Sequence, residues 1–286
     1  MIDWPATLPR EIVKERCILF LGSGVSASAK GPEGQSPPTW KTFLEGACAL
    51  VPPDRGRDAI AALIGERKYL LALQAIKDNA NRATYQDYLN RTFNLACQPS
   101  RLHEIIYELD AKIVLTTNFD KIYDSYCLSY RPAGRALHKV VSYTSAGLAD
   151  EVRDDTRLIV RAHGSIDDVR DMIFTRSEYH EAKRKHVAFY EIMKALFLTN
   201  TIVFLGCSLD DPDILLLLED VKIIGRHEKP HYAVVRQGET SSFVANDLLE
   251  TCNVQLLEYG PSYDDLVPEL EALLSLVNGE RASGIA

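Results

Sequence analysis

A short apolar run changes abruptly into glycine and serine in the segment Cys17-Ile18-Leu19-Phe20-Leu21-Gly22-Ser23-Gly24-Val25-Ser26-Ala27. Five consecutive apolar residues without a helical period, ended by a glycine, predict a strand that is buried on both faces. Strands of this kind belong to parallel sheets, whose two faces are covered by helices. The segment therefore predicts an α/β fold.

The pattern Gly-x-Gly-x-x-Ala directly after such a strand also suits nucleotide binding. Because Gly22 and Gly24 lack side chains, the backbone can approach a pyrophosphate, whose charge is held by free N–H groups of the next helix. Ser23 and Ser26 add hydroxyl donors. A glycine turn that closes a strand for steric reasons would look the same, so both interpretations stay open at this point.

Length and composition limit the classes of protein that fit. The 286 residues, 46% hydrophobic and 25% charged, predict a folded chain with room for one α/β domain and a sizeable insertion. The formal net charge of −8 argues against a protein that grips nucleic acid over its whole surface. We therefore expect no direct binding of nucleic acid.

The cysteines and the apolar segments bear on the location of the protein. Six cysteines are scattered without any Cys-x-x-Cys pair, which is typical of reduced thiols and not of a disulfide framework or a zinc site. No stretch approaches the roughly 18 apolar residues of a membrane helix, and the first residues lack the pattern of a secretory signal. These features predict a cytoplasmic protein without membrane contact.

Further apolar runs predict the other strands of the sheet. They lie at 111–117, 157–162, 201–205, 231–235 and 254–257, with two short additional candidates at 139–143 and 172–175. Segments with helical spacing separate most of them. We count about six strands alternating with helices, which predicts one doubly wound, Rossmann-like parallel sheet within a single domain over 1–286.

One stretch interrupts this alternation. Between about 40 and 110, apolar residues keep a helical spacing with no strand between them. We interpret this stretch as a helical insertion or subdomain, and a smaller one can be drawn at about 170–200. Such insertions leave the order of the strands unchanged.

Polar residues follow four of the predicted strands directly. In an open parallel sheet, ligands bind beyond the carboxyl ends of the strands, so groups that are distant in sequence meet there. We therefore expect four strand ends to line one crevice: Gly22-Ser23-Gly24, Thr116-Thr117-Asn118-Phe119-Asp120, His163-Gly164-Ser165 and Gly206-Cys207-Ser208.

These segments carry a resemblance to a known family. Gly-Ser-Gly-Val-Ser, Thr-Thr-Asn-Phe-Asp, Ala-His-Gly and Gly-Cys-Ser-Leu-Asp-Asp-Pro stand in the order of the sirtuin motifs. Over residues 17 to 259, the chain most resembles the sirtuin-like NAD hydrolases of bacterial anti-phage defence. The resemblance implies NAD as the ligand.

The resemblance also implies a role for each matching residue. Around the pyrophosphate and the adenosine it implies the following contacts: Gly22, Ser23, Gly24 and Ser26 hold the pyrophosphate, and Gly206 and Ser208 line the adenosine side. Asn118 and Asp120 would flank the nicotinamide ribose and carboxamide, and His163 would be the base near the ribose. Thr117 would contact the same end of NAD, where many deacylating sirtuins have glutamine.

One departure from the family pattern concerns zinc. Sirtuin deacylases fix a peptide-binding module with two Cys-x-x-Cys pairs, but residues 165 to 205 contain no cysteine here. We therefore predict a zinc-free protein in which water, and not an acyl-lysine peptide, accepts the ADP-ribosyl group.

The chemistry explains why an amide and an imidazole are needed. Breaking the bond between nicotinamide and ribose generates an oxocarbenium-like centre, with a nucleophile on one face and the leaving group on the other. Asn118 can orient a water or a ribose hydroxyl without adding charge. His163, with an ordinary pKa of about 6.5, can take up a proton at cytoplasmic pH. We expect both side chains to face the same dinucleotide.

The leading hypothesis is an NAD glycohydrolase that gives nicotinamide and ADP-ribose and depletes NAD during phage infection. The resemblance implies control by homo-oligomerisation or by a partner such as a HerA-like ATPase or a short Argonaute. Two alternatives stay open, namely a module that binds NAD or ADP-ribose without turnover, and a protein deacylase or ADP-ribosyltransferase. A dehydrogenase is disfavoured because Glu45, at the required distance, lies in a helical pattern.

Overall fold

The computed structural model describes residues 1–130, 132, 136–207, 209, 212–224 and 229–284. Within them, seven strands form one sheet in which every pairing is parallel. The predicted α/β fold with a doubly wound parallel sheet is confirmed, with seven strands in place of about six. The strands are β1 Cys17–Leu21, β2 Ile113–Thr116, β3 His138–Ser142, β4 Arg157–Arg161, β5 Thr201–Leu205, β6 His231–Arg236 and β7 Val254–Tyr259.

Helices fill most of the connections between these strands. They are α1 Leu8–Val13, α2 Ser23–Ala27, α3 Trp40–Cys48, α4 Arg57–Gly65, α5 Tyr69–Asn79, α6 Arg82–Phe93, α7 Arg101–Leu109, α8 Ile122–Ser129, α9 Leu148–Arg153, α10 Arg176–Lys185, α11 Val187–Thr199, α12 Pro212–Ile224, α13 Ser242–Cys252 and α14 Leu266–Ala282. In the described part of the chain, none of them is long and apolar enough to cross a lipid bilayer.

The strand order places β1 in the middle of the sheet. The order is β3-β4-β2-β1-β5-β6-β7, so β2 to β4 lie on one side of β1, with β4 between β2 and β3, and β5 to β7 follow one another on the other side. Phe20 of β1 is in register with Leu115 of β2 and with Phe204 of β5. The strand order therefore reverses between β1 and β5, and a crevice for ligands is expected beyond their carboxyl ends.

All five residues of β1 are buried, because helices cover both faces of the sheet. Leu19 and Leu21 pack into the core that also contains residues of α1, α7 and α14. Ile18 and Phe20 point to the opposite face, into the core that contains residues of α10 to α13. This alternation is the period of two that an extended strand imposes on its side chains.

The helices between β1 and β2 do not all pack in one place. Residues of α3 to α6 surround a third core, which includes Phe43, Leu73 and Leu89 and reaches the sheet through Phe119. In contrast, α7 packs against α14 on the sheet. The helical insertion at about 40–110 and the smaller one at about 170–200 stay predictions as separate units.

The predicted strand at 172–175 is wrong, since these residues form no strand. Gly164 has a φ of +81°, and a Cβ at this position would lie 2.3 Å from the Asp171 carbonyl oxygen. The chain after β4 therefore turns back sharply, and the Ile173 N–H donates to the His163 carbonyl at 2.9 Å. This single loop contact takes the place of a ladder with a neighbouring strand.

Candidate functional site

A cleft opens at the reversal point of the sheet, beyond the ends of β1, β2 and β5. Seven of the ten residues proposed from the sequence line it, which are Gly22, Ser23, Ser26, Thr117, Asn118, Asp120 and Gly206. The three others are Gly24, His163 and Ser208. Ser208 lies outside the described residues.

The glycines at this end of the sheet let two turns touch. A Cβ on Gly22 would lie 2.4 Å from the Gly206 carbonyl oxygen, and Gly206 itself has a φ of +64°. The Gly24 N–H donates to that same carbonyl at 2.9 Å. Gly24 packs on Gly206 and does not line the cleft. The steric use of these glycines is thus visible in the structure, and their contact with a pyrophosphate stays a proposal.

The Asn118 amide is fixed by β1 and its turn. Its Nδ2 donates to the Gly22 carbonyl at 2.8 Å and to Ser26 Oγ at 2.9 Å. Its backbone N–H donates to Thr116 Oγ1, which in turn donates to the Leu21 carbonyl at 2.9 Å. Within the described residues no group donates to Asn118 Oδ1. The amide therefore has both N–H groups engaged and one acceptor oxygen available in the cleft.

Ser26 connects this amide to a carboxylate. Ser26 is buried, with 4% of its surface exposed, and its Oγ donates to Asp120 Oδ2 at 2.6 Å. The other carboxylate oxygen, Oδ1, accepts from the Ile122 N–H at 3.1 Å. Hydrogen bonds to an ionised acceptor are the stronger kind, so this chain of contacts holds Asn118 and Asp120 in one arrangement.

His163 lies in a different cavity. Its side chain is buried and lines a smaller space walled by residues of α10, α11 and α12, including Tyr179, Met193 and Leu217. Ile214 of α12 lines both this cavity and the Asn118 cleft. The structure thus places His163 and Asn118 in two neighbouring cavities that share Ile214, on the first turn of α12, as a lining residue.

Aromatic side chains form the wall of the cleft opposite the polar groups. Trp40 and Phe43 of α3 and Phe93 of α6 line it together with Phe119. Trp40 meets the Phe119 ring edge-on at a centroid distance of 6.5 Å. The apolar spacing of α3 predicts a helix but does not show that its aromatic side chains line a cleft, so this wall was not predicted from the sequence. An apolar wall facing a polar edge suits a ligand with a planar ring and a hydroxylated sugar.

Metal ligands are not grouped in the described part of the chain. There, no cluster of three or more His, Cys, Asp or Glu side chains could hold a metal ion. The absence of zinc from the protein stays a prediction from the sequence.

The topology and the cleft together define a class of protein. A doubly wound parallel sheet with a mixed polar and aromatic cleft at its reversal point is a ligand-binding α/β domain. The family model of the SIR2-like domain matches residues 112–257, just over half of the chain. The chain belongs to the SIR2-like domain family.

Similar proteins with curated names come from several bacteria. The chain is 24% identical over 238 residues to the NAD(+) hydrolase ThsA of Enterococcus faecium, covering 82% of this chain and 46% of the relative. It is 22% identical over 226 residues to that of Cytobacillus dafuensis, covering 78% and 42%. It is 22% identical over 211 residues to the defense-associated sirtuin 2 of Bacillus subtilis, covering 72% and 19%. The chain spans less than half the length of each of these relatives.

Proposed function

We propose that this protein is an NAD glycohydrolase that cleaves NAD to nicotinamide and ADP-ribose and depletes the NAD of an infected cell. One observation carries the proposal. The Asn118 amide is locked by Gly22 and Ser26, so that its oxygen is left as an acceptor inside the cleft. The names of the relatives, which are NAD(+) hydrolases and a defence-associated sirtuin, support the same activity and role.

The reaction needs an oriented nucleophile. In our proposal, Asn118 Oδ1 accepts a hydrogen bond from a water or a ribose hydroxyl, and Asp120 stands beside the ribose and the carboxamide. The bond between the nicotinamide nitrogen and the ribose carbon breaks, and its electron pair leaves with nicotinamide. The water oxygen then bonds to that carbon and releases a proton. Correct positioning of this kind accounts for a large part of a typical rate enhancement.

The released proton needs an acceptor, and we assign His163 to this role. Ile214 lines both cavities, and we propose that its side chain moves aside when the imidazole approaches the ribose in the cleft. A positioned base of this kind typically contributes about 10²–10⁴-fold in rate. The role of His163 is therefore tied to a change at the first turn of α12.

The rest of the dinucleotide would follow the strand ends. We assign the pyrophosphate to the turn at Gly22, Ser23, Gly24 and Ser26, and the adenosine side to Gly206 and Ser208. Thr117 would meet the nicotinamide end. The aromatic wall offers Trp40 as a flat apolar surface for a planar ring of the ligand.

A second candidate function is a module that binds NAD or ADP-ribose without cleaving it. The separation of His163 from the Asn118 cleft favours this candidate, since a binding protein needs no base at the ribose. This binding module would use the same ligand and the same cleft as the proposed hydrolase, but it would not cleave the ligand.

The test is to incubate the purified protein with NAD and to follow free nicotinamide and ADP-ribose by chromatography. Asn118→Ala serves as the inactive control. Stoichiometric release of both products by the wild type, and not by the variant, supports the hydrolase. Tight binding of NAD without release, alone and with the product of a neighbouring gene, would instead support the binding module.

We also propose that assembly controls the activity, because unregulated hydrolysis would deplete the cofactor of the host cytoplasm. A homo-oligomer or a partner such as a HerA-like ATPase or a short Argonaute would supply this control. The rate of nicotinamide release per subunit should therefore rise with protein concentration or on addition of the partner. A rate per subunit that is independent of both would contradict this part of the proposal.

A further inference from the structure

A buried arginine lies between the two halves of the candidate site. Arg161 is the last residue of β4, two positions before His163, and only 3% of its surface is exposed. Its Nε donates to Oδ2 of Asp124 on α8 at 2.7 Å, and its Nη2 donates to the same carboxylate oxygen. The two side chains form a buried ion pair.

The remaining donors of this guanidinium reach the loop that carries Asn118. Nη1 donates to the Asn118 carbonyl at 3.3 Å, and Nη2 donates to the Asp120 carbonyl at 2.7 Å. One planar group thus contacts a carboxylate and two backbone carbonyls. Arginine is suited to this task because its five N–H groups are arranged in a rigid fork, whereas a lysine ammonium is a single point charge.

We propose that Arg161 is a positioning residue that sets the Asn118 amide for the reaction, an inference that rests on the proposed function. The two carbonyls that it holds belong to the residues on either side of Phe119, and the Asn118 and Asp120 side chains enter the cleft from this short segment. Loss of the fork removes the donors to the Asn118 and Asp120 carbonyls, and the segment is then held at β1 and by the Ile166 N–H, which donates to the Phe119 carbonyl at 3.0 Å. Arg161 is also the last residue of β4 and precedes His163 by two positions.

The alternative is that the ion pair only stabilises the fold. Removing one partner of a buried pair is strongly destabilising, because it leaves an uncompensated charge, whereas replacing both partners is often neutral. Burial raises the pKa of Asp124, and the Arg161 charge beside it acts against this rise. A single substitution would therefore lower both stability and activity and could not distinguish positioning of Asn118 from stabilisation of the fold. A substitution of both partners can distinguish these two roles.

The decisive variant is the double substitution Arg161→Gln with Asp124→Asn, which removes both charges. We expect its melting temperature to stay within about 3 °C of the wild type, while Arg161→Gln alone lowers it by about 10 °C. Its kcat for nicotinamide release should fall about 100-fold, with the KM for NAD changed less than about threefold. Arg161→Lys keeps a positive charge beside Asp124 but loses the fork, so its kcat should fall in the same way.

The same strand offers a matched control. Arg157 at the amino end of β4 pairs with Asp110, with N···O at 3.1 Å, and with the more exposed Glu15, and it lies far along the strand from the cleft residues. The double substitution Arg157→Gln with Asp110→Asn should therefore leave kcat unchanged within about twofold. Arg161 variants that hydrolyse NAD as fast as this control would overturn the proposal.

A second readout does not depend on turnover. Hydrogen exchange of the Asn118 side-chain amide, followed by NMR, reports whether its bonds to Gly22 and Ser26 persist. We expect exchange about tenfold faster in the Arg161/Asp124 double variant than in the Arg157/Asp110 control. If the wild type proves not to cleave NAD, this result still supports the positioning role and only the proposed function fails. Equal exchange in the two double variants refutes the positioning role in either case.

Discussion

The loop after β2 and the segment after β4 carry the two groups that the proposed reaction needs, Asn118 and His163, and the two groups differ in how they are held in the free protein. Asn118 is already bonded to the turn of β1 and connected through Ser26 to Asp120. His163 is buried in a separate cavity behind Ile214. In the proposed mechanism, the Asn118 half of the site is therefore built into the fold, whereas the His163 half is completed only when NAD binds.

The largest effect is expected for His163→Ala. Loss of the base should lower kcat for nicotinamide release about 10³-fold while the Kd for NAD changes little, because the imidazole lies outside the cleft of the free protein. Stopped assays for nicotinamide and calorimetric titration with NAD measure the two quantities. His180→Ala, at an exposed position of α10, is the control. A variant with the wild-type rate would remove His163 from the mechanism.

The next effect is expected for Asn118→Asp, which keeps the shape of the side chain. A carboxylate cannot donate to the Gly22 carbonyl, and it places a second negative charge near Asp120. We expect kcat to fall about 10²–10³-fold, together with weaker NAD binding. The exposed Asn90→Asp provides the same change of charge away from the cleft. Equal activity of these two variants would contradict the role of the amide.

Ser26→Ala should have a smaller effect. It removes the donor to Asp120 Oδ2 and the acceptor for Asn118 Nδ2, but the bond of Asn118 to Gly22 remains. We expect about a tenfold loss in kcat/KM, which corresponds to one net hydrogen bond. Ser28→Ala is a matched control, since Ser28 bonds to Ser100 and not to the cleft. A loss of the same size in the control would show a general disturbance of α2.

The smallest effect concerns His103, a buried histidine that has a structural role instead of a catalytic one. Its Nδ1 accepts from the Ser100 N–H at 3.2 Å at the start of α7, and burial lowers its pKa to about 4. In the unfolded chain the His103 imidazole takes up a proton near pH 6.5. The stability that depends on neutral His103 is therefore fully present above that pH and is lost as the pH falls toward 4. We expect a loss of about 2 kcal/mol at pH 5.

His103→Gln keeps a side chain that can accept from the same backbone N–H but that does not titrate. Urea unfolding at pH 7 and pH 5 should therefore show a smaller loss of stability for this variant than for the wild type. The exposed His180→Gln should behave like the wild type. If His103→Gln loses as much unfolding free energy between pH 7 and pH 5 as the wild type, other groups cause the pH dependence.

Most of the sheet, and the meeting of the Gly22 and Asn118 segments in one cleft, could be predicted from the sequence. Apolar runs ended by polar residues mark strands in a parallel sheet, and the Gly22 and Asn118 segments follow two such runs that pair directly. The wall between the cavities could not be predicted, because Ile214 comes from a helix some fifty residues beyond His163. The packing of that helix depends on tertiary contacts.

Trp40 and Arg161, which were not predicted as site residues, differ in how far the sequence alone could have indicated them. Nothing in the sequence distinguished Trp40, since an aromatic residue on an apolar helical stripe is most often part of a core. Phe43 and Phe119 of the same wall are indeed core residues. Arg161 left one, because a charged residue inside the apolar run of β4 must have a buried partner. That partner, Asp124, could not be identified from spacing, since the contact joins a strand to a helix 37 positions earlier.

The most direct test of the account is the structure of Asn118→Ala crystallised with intact NAD. We predict the dinucleotide in the cleft, the Ile214 side chain displaced, and the His163 imidazole within about 3 Å of a hydroxyl of the nicotinamide ribose. NAD bound in the cleft with His163 still behind Ile214 would contradict the proposed chemistry, and would leave the protein as a binding module of the same family.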